Sequence, residues 1–239
     1  MATLTAVRGA EPWRRRLYLP AYQVHDAARY AQTSAQNVGY WHYRGGHLGP
    51  TLPGGERRKP LSYLQLVEVS FVATFRALGI SLQRIRRAHD YAAQVLQSEF
   101  PFAEYRWQTE GRFMLLDLKE VEHEPLFGDV VILGDVYGQE AWQDLLGDRF
   151  AEFDYEDKAG FAITWHVAGR QKEVVIDPRV AFGAPTVGGI PTWAIKGRYV
   201  AKESIEDILT DFGVTEDQCK DALRFEGIDV PTNGHPVLR

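Results

Sequence analysis

The sequence predicts an α+β fold, because three kinds of pattern follow one another along it. Four segments before residue 100 repeat apolar residues three and four positions apart. Short apolar runs with period two follow Pro101, and two capped segments of helical period come after Pro191. At 239 residues, 45% apolar and 25% charged, the chain can bury one large core or two to three small ones.

Residues 1–19, with Trp13 and Arg14 to Arg16, read as a flexible basic arm. Val24, Ala27, Ala28 and Ala31 make one apolar stripe of a short helix. Thr33 and Ser34 cap a second, in which Ala35, Val38 and Trp41 face inward and Gln36, Asn37 and Tyr40 face away. Tyr43 to Pro60 holds five glycines and three prolines, so it reads as an irregular loop or small ribbon. Ser62 and Gln65 form a capping box for an apolar helix through Leu64, Val67, Phe71 and Phe75, which Gly79 stops. Ser81 caps a fourth helix with Leu82, Ile85, Ala88, Ala92 and Val95 or Leu96 inside, and Arg84, Arg86 and Arg87 mostly outside.

Phe100-Pro101 ends the helices. A small antiparallel β meander is expected over 101–176, from Phe113 to Leu118, Val130 to Val136, the alternating Ala151, Phe153 and Tyr155, then Phe161 to Val167 and Val174 to Ile176; Gln139 to Leu146 reads as a brief helix. A Gly/Pro-rich stretch from Asp177 to Pro191 leads into a three-helix module, 177–226. In it Ile205, Ile208, Leu209 and Phe212 share a face, Gly213 stops one helix, and Thr215 with Gln218 boxes the next. Residues 227–239 read as a tail.

No run approaches the roughly 18 apolar residues of a membrane span, and the first residues lack an apolar signal core, so a cytoplasmic protein is expected. The lone Cys219 cannot form an internal disulfide and reads as a core thiol. Glu120, Glu122, His123 and Glu124 cluster, as do His42 and His47, but without a nucleophile motif, phosphate loop or zinc spacing; no enzyme, metal or cofactor is expected.

The charge is segregated. Residues 1–100 hold thirteen Lys/Arg against six Asp/Glu, whereas residues 101–239 hold fourteen against twenty-six. A cationic half suits a polyanion, since clustered cations gain affinity by releasing counterions from phosphates. Two short helices about a tight polar turn, a basic Gly/Pro loop and two longer helices are the plan of a winged helix-turn-helix over 20–98. Gln36, Asn37 and Tyr40 would meet base edges in the major groove, while Arg57, Arg58 and Lys59 of the wing hold phosphates.

The residues resemble the MerR-type winged helix regulators in Tyr22 to Arg29, in Tyr40-Trp41 followed by His47 to Pro50, and in Phe75 to Ile85. Where that family carries an Arg before two aromatics, this chain has Gly39, and Arg44 lies near enough in sequence to replace its phosphate contact. From Val175 to about Phe225 the chain resembles a bacterial module of unknown function commonly encoded beside PIN-domain proteins. The likeness runs through Ile176-Asp177-Pro178, Phe182 to Pro191 and the two capped helices, with Gly189-Ile190 where many members show Thr-Arg. The combination resembles an atypical VapB-type antitoxin. That resemblance implies a homodimer that binds double-stranded operator DNA and neutralises a PIN-domain ribonuclease, with toxin contacts at Asp177, Pro178, Arg179, Gly183, Pro185 and Gly189. The acidic C-terminal helices suit a basic protein partner. The alternative is a MerR-like regulator sensing a small apolar ligand through Trp142, Phe161 or Trp165 of the β region. Core packing explains those aromatics about as well.

Overall fold

A computed structural model describes residues 11–44, 49–52, 59–108, 110–111, 146–156 and 160–230. It is α+β. Helices α1 (Val24–Tyr30), α2 (Ala35–Tyr43), α3 (Tyr63–Ala77), α4 (Leu82–Leu96), α5 (Thr192–Val200), α6 (Ile205–Phe212) and α7 (Glu216–Phe225) accompany the short strands β1 (Phe153–Tyr155), β2 (Ala162–Trp165), β3 (Val175–Ile176), β4 (Pro185–Val187) and β5 (Ile190–Pro191). The chain forms two compact units, 1–162 and 163–239. The expected strands 113–118 and 130–136, the brief helix 139–146 except its last residue, the acidic cluster 120–124, Trp142 and the tail beyond 230 lie outside the described residues.

In the first unit, α3 is the central element. It is buried on every side, from Tyr63 to Ala73 and again at Phe75. Ser62 Oγ accepts from the Gln65 N–H at 3.2 Å while Gln65 Oε1 accepts from the Ser62 N–H at 2.9 Å, so the capping box forms as expected. Phe71 lies 5.6 Å from Phe153 and 5.4 Å from Phe150, and Phe75 meets Phe102 edge-on at 5.5 Å. These rings come from three segments distant in sequence, and their contacts join the helices to β1.

Several local expectations are corrected. Ala35 is exposed, because the first turn of α2 projects beyond the body of the unit; its inner face is Val38, Trp41 and His42. Leu96 and not Val95 closes the inner face of α4, and Gln97 ends that helix in a left-handed conformation at φ 53°. Ala151 belongs to a helical turn over 146–151, with the strand starting only at Phe153. The basic arm is anchored at its inner end. Pro12–Leu17 forms a 3₁₀ helix, Leu17 is buried, Arg14 pairs with Glu156, and Tyr18 stands edge-on to Phe100 at 6.0 Å and Phe161 at 6.4 Å.

In the second unit, β2 to β5 pair antiparallel in chain order, with Trp165 opposite Ile176, Val175 opposite Thr186 and Val187 opposite Ile190. The period-two pattern predicts a β2 that alternates between core and solvent. All four of its residues are instead buried, so it is covered on both faces. The Gly/Pro-rich stretch after Asp177 contains β4 and β5, which extend the expected meander. Gly188 and Gly189, at φ 54° and 82°, make the turn between them. The helices α5, α6 and α7 pack on one another, and α7 also covers β4. Thr215 and Gln218 box the start of α7, Gly213 at φ 64° ends α6, and Cys219 is fully buried.

Candidate nucleic-acid interface

Helices α1 and α2 pack against each other across a four-residue connection. The Gln32 N–H donates to the Arg29 carbonyl at 3.2 Å and the Thr33 N–H to the Ala28 carbonyl at 2.8 Å, with Gln32 left-handed at φ 53°. This is a Schellman closure made without glycine. Ser34 Oγ then caps α2 by accepting from the Asn37 N–H at 3.1 Å, so the turn that ends one helix starts the next.

The burial of α2 is one-sided. Val38, Trp41 and His42 face inward, whereas Gln36, Asn37 and Arg44 are exposed and Tyr40 is 39% exposed despite its ring. Gln36, Asn37, Gly39, Tyr40, Tyr43 and Arg44 line a cleft of about 380 Å³. Asn37 Nδ2 donates to Thr33 Oγ1 at 3.1 Å, which fixes the rotation of the Asn37 side chain before any partner arrives. The N-terminal half of the helix thus presents two amides capable of paired hydrogen bonds, and its C-terminal end presents a guanidinium.

The loop that follows is pinned at both of its described ends. The N–H groups of Thr51 and Leu52 donate to the Trp41 carbonyl at 2.7 and 3.0 Å, and Leu61 pairs with Tyr22 in an antiparallel bridge. Arg86 of α4 reaches the carbonyl of Gly49, and that of Pro50 at 3.1 Å. One of the three arginines expected mostly outside on α4 therefore holds the loop. Arg57, Arg58 and His47 lie outside the described residues, and Lys59 at the loop's end is exposed.

Behind α2 lies a buried ionisable pair that sequence reasoning missed. Glu68 of α3 and His89 of α4 are 2% and 1% exposed, with Oε2 and Nε2 3.0 Å apart. Glu68 Oε1 also accepts from the Phe102 N–H at 2.8 Å, and the Phe102 ring stands edge-on to His89 at 5.1 Å. Burial by itself lowers the proton affinity of His89, but the Glu68 carboxylate, with help from Asp90, outweighs it and raises the pKa to about 9. His42 of α2 is buried too; desolvation lowers its pKa to about 4 against the pull of the Leu52 backbone, and the charge of His89 adds to the lowering. A glutamate in α3 at the helical phase of Leu64 and Phe71, and a histidine in α4 at the phase of Ile85 and Ala92, were the available signals.

In the second unit, the residues expected to touch a toxin separate into two groups. Asp177, Pro178, Gly183 and Pro185 are buried; Arg179 and Gly189 are exposed. The Asp177 carboxylate accepts from the Arg179 N–H at 2.8 Å, from Arg179 Nη2 at 2.6 Å and from Thr164 Oγ1 at 3.3 Å, so it organises the turn after β3. Phe182, between these positions, is 79% exposed. A large apolar residue inside a Gly/Pro turn was the sequence signal for it. Of the aromatics considered for ligand sensing, Trp165 is fully buried in its unit and Phe161 packs on Tyr18.

Three comparisons extend this description. A family model described as a protein of unknown function, DUF433, matches residues 174–225, the segment from the end of the β2–β3 connection through α7. A curated Mycobacterium tuberculosis protein named "Putative antitoxin VapB45" is 23% identical over 235 residues, covering 90% of this chain and 97% of its own length. The crystal structure of Rv2018 from Mycobacterium tuberculosis aligns with a TM-score of 0.68 and 24% identity, over 87% of this chain and 99% of that one. The chain accordingly shares the fold of Rv2018, and its β3-to-α7 segment is similar to the DUF433 model.

Proposed function

We propose that this chain is the antitoxin of a type II toxin-antitoxin pair. Its first unit binds operator DNA through a MerR-like winged helix-turn-helix at residues 20–98, and its C-terminal module neutralises a PIN-domain ribonuclease. The observation that carries the reading is the outer face of α2. Gln36, Asn37, Tyr40 and Arg44 stand in solvent while Val38 and Trp41 lock the opposite face into the core. A rigid helix with polar groups aimed outward after a capped turn suits a major groove, where an amide can pair bidentately with adenine.

The toxin half rests on likeness. The relative bearing the antitoxin name aligns over nearly its whole length, so the likeness takes in both the N-terminal helices of this chain and the segment that the DUF433 model matches. The chain acts as a homodimer, since one short helix reads too few base pairs for useful specificity. Wing residues Arg57, Arg58 and Lys59, together with Arg44, hold phosphates and fix register.

Two measurements test this. The full chain should shift duplex DNA from its own promoter and protect two half-sites related by a two-fold axis. Co-expression with a PIN-domain protein, should one be encoded beside it, should yield one complex with suppressed ribonuclease activity. Absence of binding to promoter DNA at low ionic strength defeats the operator half. Undiminished ribonuclease activity in the mixture defeats the other.

A further inference from the structure

Resting on the operator reading, we infer that Thr33 is a positioning residue of the DNA interface. From the turn before α2 it holds the Asn37 amide in the one arrangement that accepts adenine and refuses guanine.

The turn is fixed before α2 begins. The Thr33 N–H donates at 2.8 Å to the carbonyl of Ala28, a buried residue of α1. Asn37 is then tied to the turn twice, its backbone N–H donating to Ser34 Oγ and its Nδ2 to Thr33 Oγ1, each at 3.1 Å. Val38, the next residue, is fully buried together with Trp41, so α2 is not free to roll about its axis. The last torsion of an asparagine side chain is broad when nothing holds it. The bond to Thr33 removes that freedom. Gln36 lies exposed on the same face, and among the described residues it has no corresponding tie. The two amides of α2 are therefore not equivalent as readers.

Donor counting selects the base. An amide side chain offers two N–H donors and one carbonyl acceptor. Thr33 Oγ1 takes one of the donors. One N–H and Oδ1 remain for a partner, and they match the major-groove edge of adenine, where N7 accepts and the N6 amino group donates. Guanine presents two acceptors there, N7 and O6, so it would set O6 against Oδ1 with no second N–H to meet it. Asn37 is the third residue of α2, within the N-terminal turn that lies closest to base edges when a helix-turn-helix docks. The Thr33 hydroxyl acts by occupying a donor, without touching DNA. Its loss would free the second N–H, let the amide rotate and admit guanine.

The test is competition binding of the full chain to duplex DNA from its own promoter, with each base pair of a half-site replaced in turn. Asn37→Ala should abolish preference at one position, where the wild type favours adenine over guanine by roughly 10-fold or more, as a bidentate pair allows. Thr33→Val should cut that preference to about threefold or less, with Tm, salt slope and the preferences at other positions unchanged. Thr33→Ser keeps the hydroxyl and should keep the preference; Thr33→Ala serves if valine is not tolerated in the turn. At the same position 7-deazaadenine, which lacks the N7 acceptor, should weaken binding of the wild type and leave that of Asn37→Ala unchanged. Three results overturn the inference and leave the operator reading standing. They are an unaltered adenine preference in Thr33→Val, a wild-type preference for guanine at the Asn37 position, and a further change of affinity when Thr33→Val is added to Asn37→Ala, which would mean that Thr33 itself contacts DNA. Failure of the wild-type chain to bind promoter DNA at low ionic strength overturns both.

Discussion

Two histidines in the first unit titrate in opposite directions, and the consequence can be measured. His89 has its pKa raised from 6.5 to about 9, so the stability it contributes is complete below pH 6.5 and is lost as pH rises through 9. His42 has its pKa lowered to about 4. The unfolded chain takes up a proton there that the folded chain refuses, and stability falls as pH drops from 6.5 toward 4. The contribution of this pair is greatest near pH 6.5. Urea midpoints measured across pH 4 to 9 should show both limbs, and His42→Phe should flatten the acid one. Glu68→Ala leaves His89 without its buried partner and should cost about 3–5 kcal/mol, read from the same urea curves. At the turn before α2, Gln32→Gly should stabilise by about 0.5–1 kcal/mol, because glycine adopts φ 53° without a Cβ penalty. A lower Tm for that variant would show that the Gln32 side chain contributes more than its backbone costs.

At the scale of the element, α2 carries an unusual feature for a helix proposed to read DNA: Gly39 at its centre. A Cβ there would meet only the Tyr43 ring, at 3.8 Å, an ordinary contact. Gly39→Ala should therefore stabilise the helix by about 1 kcal/mol, visible as a raised Tm. Gly39→Arg places a cation where the MerR-type family has one, and should tighten promoter binding and steepen its salt dependence. Equal affinity for Gly39→Arg and wild type would mean that this face does not approach phosphates. Legibility at this scale followed local chemistry. Ser34, Ser62, Ser81 and Thr215 each cap the helix expected of them, because a side-chain oxygen and a nearby N–H need no distant partner. The strands were less legible: β3 and β5 are two residues long, too short for a period, and β2 is buried on both faces, which erases alternation.

For the whole molecule, charge segregation leads to a prediction that separates positioning from reading. Replacing Arg57, Arg58 and Lys59 together by Ala should weaken binding to all duplexes and lower the slope of log K against log salt by about 0.9 for every phosphate that is no longer neutralised. Gln36→Ala should leave that slope intact and relax preference at one base position, as measured by competition among promoter variants. An unchanged slope in the triple variant removes the wing from the interface. The acidic helices are less uniformly available than their composition implies, since Glu203, Asp211, Asp221 and Glu226 are held in ion pairs that tie the second unit together.

What the sequence determined by itself was local: helix starts and stops, the outward phase of Gln36, Asn37 and Tyr40, the glycine-bearing turns, and the contrast between a basic and an acidic half. These depend on neighbours within a few residues or on simple counting. Tertiary structure alone decided that Glu68 on α3 meets His89 on α4, that Arg86 holds the loop after α2, and that Asp177 and Pro178 turn inward while Phe182 turns outward. Burial and partnership are set by chain segments brought together from far apart, and periodicity within one segment carries no record of what will cover it.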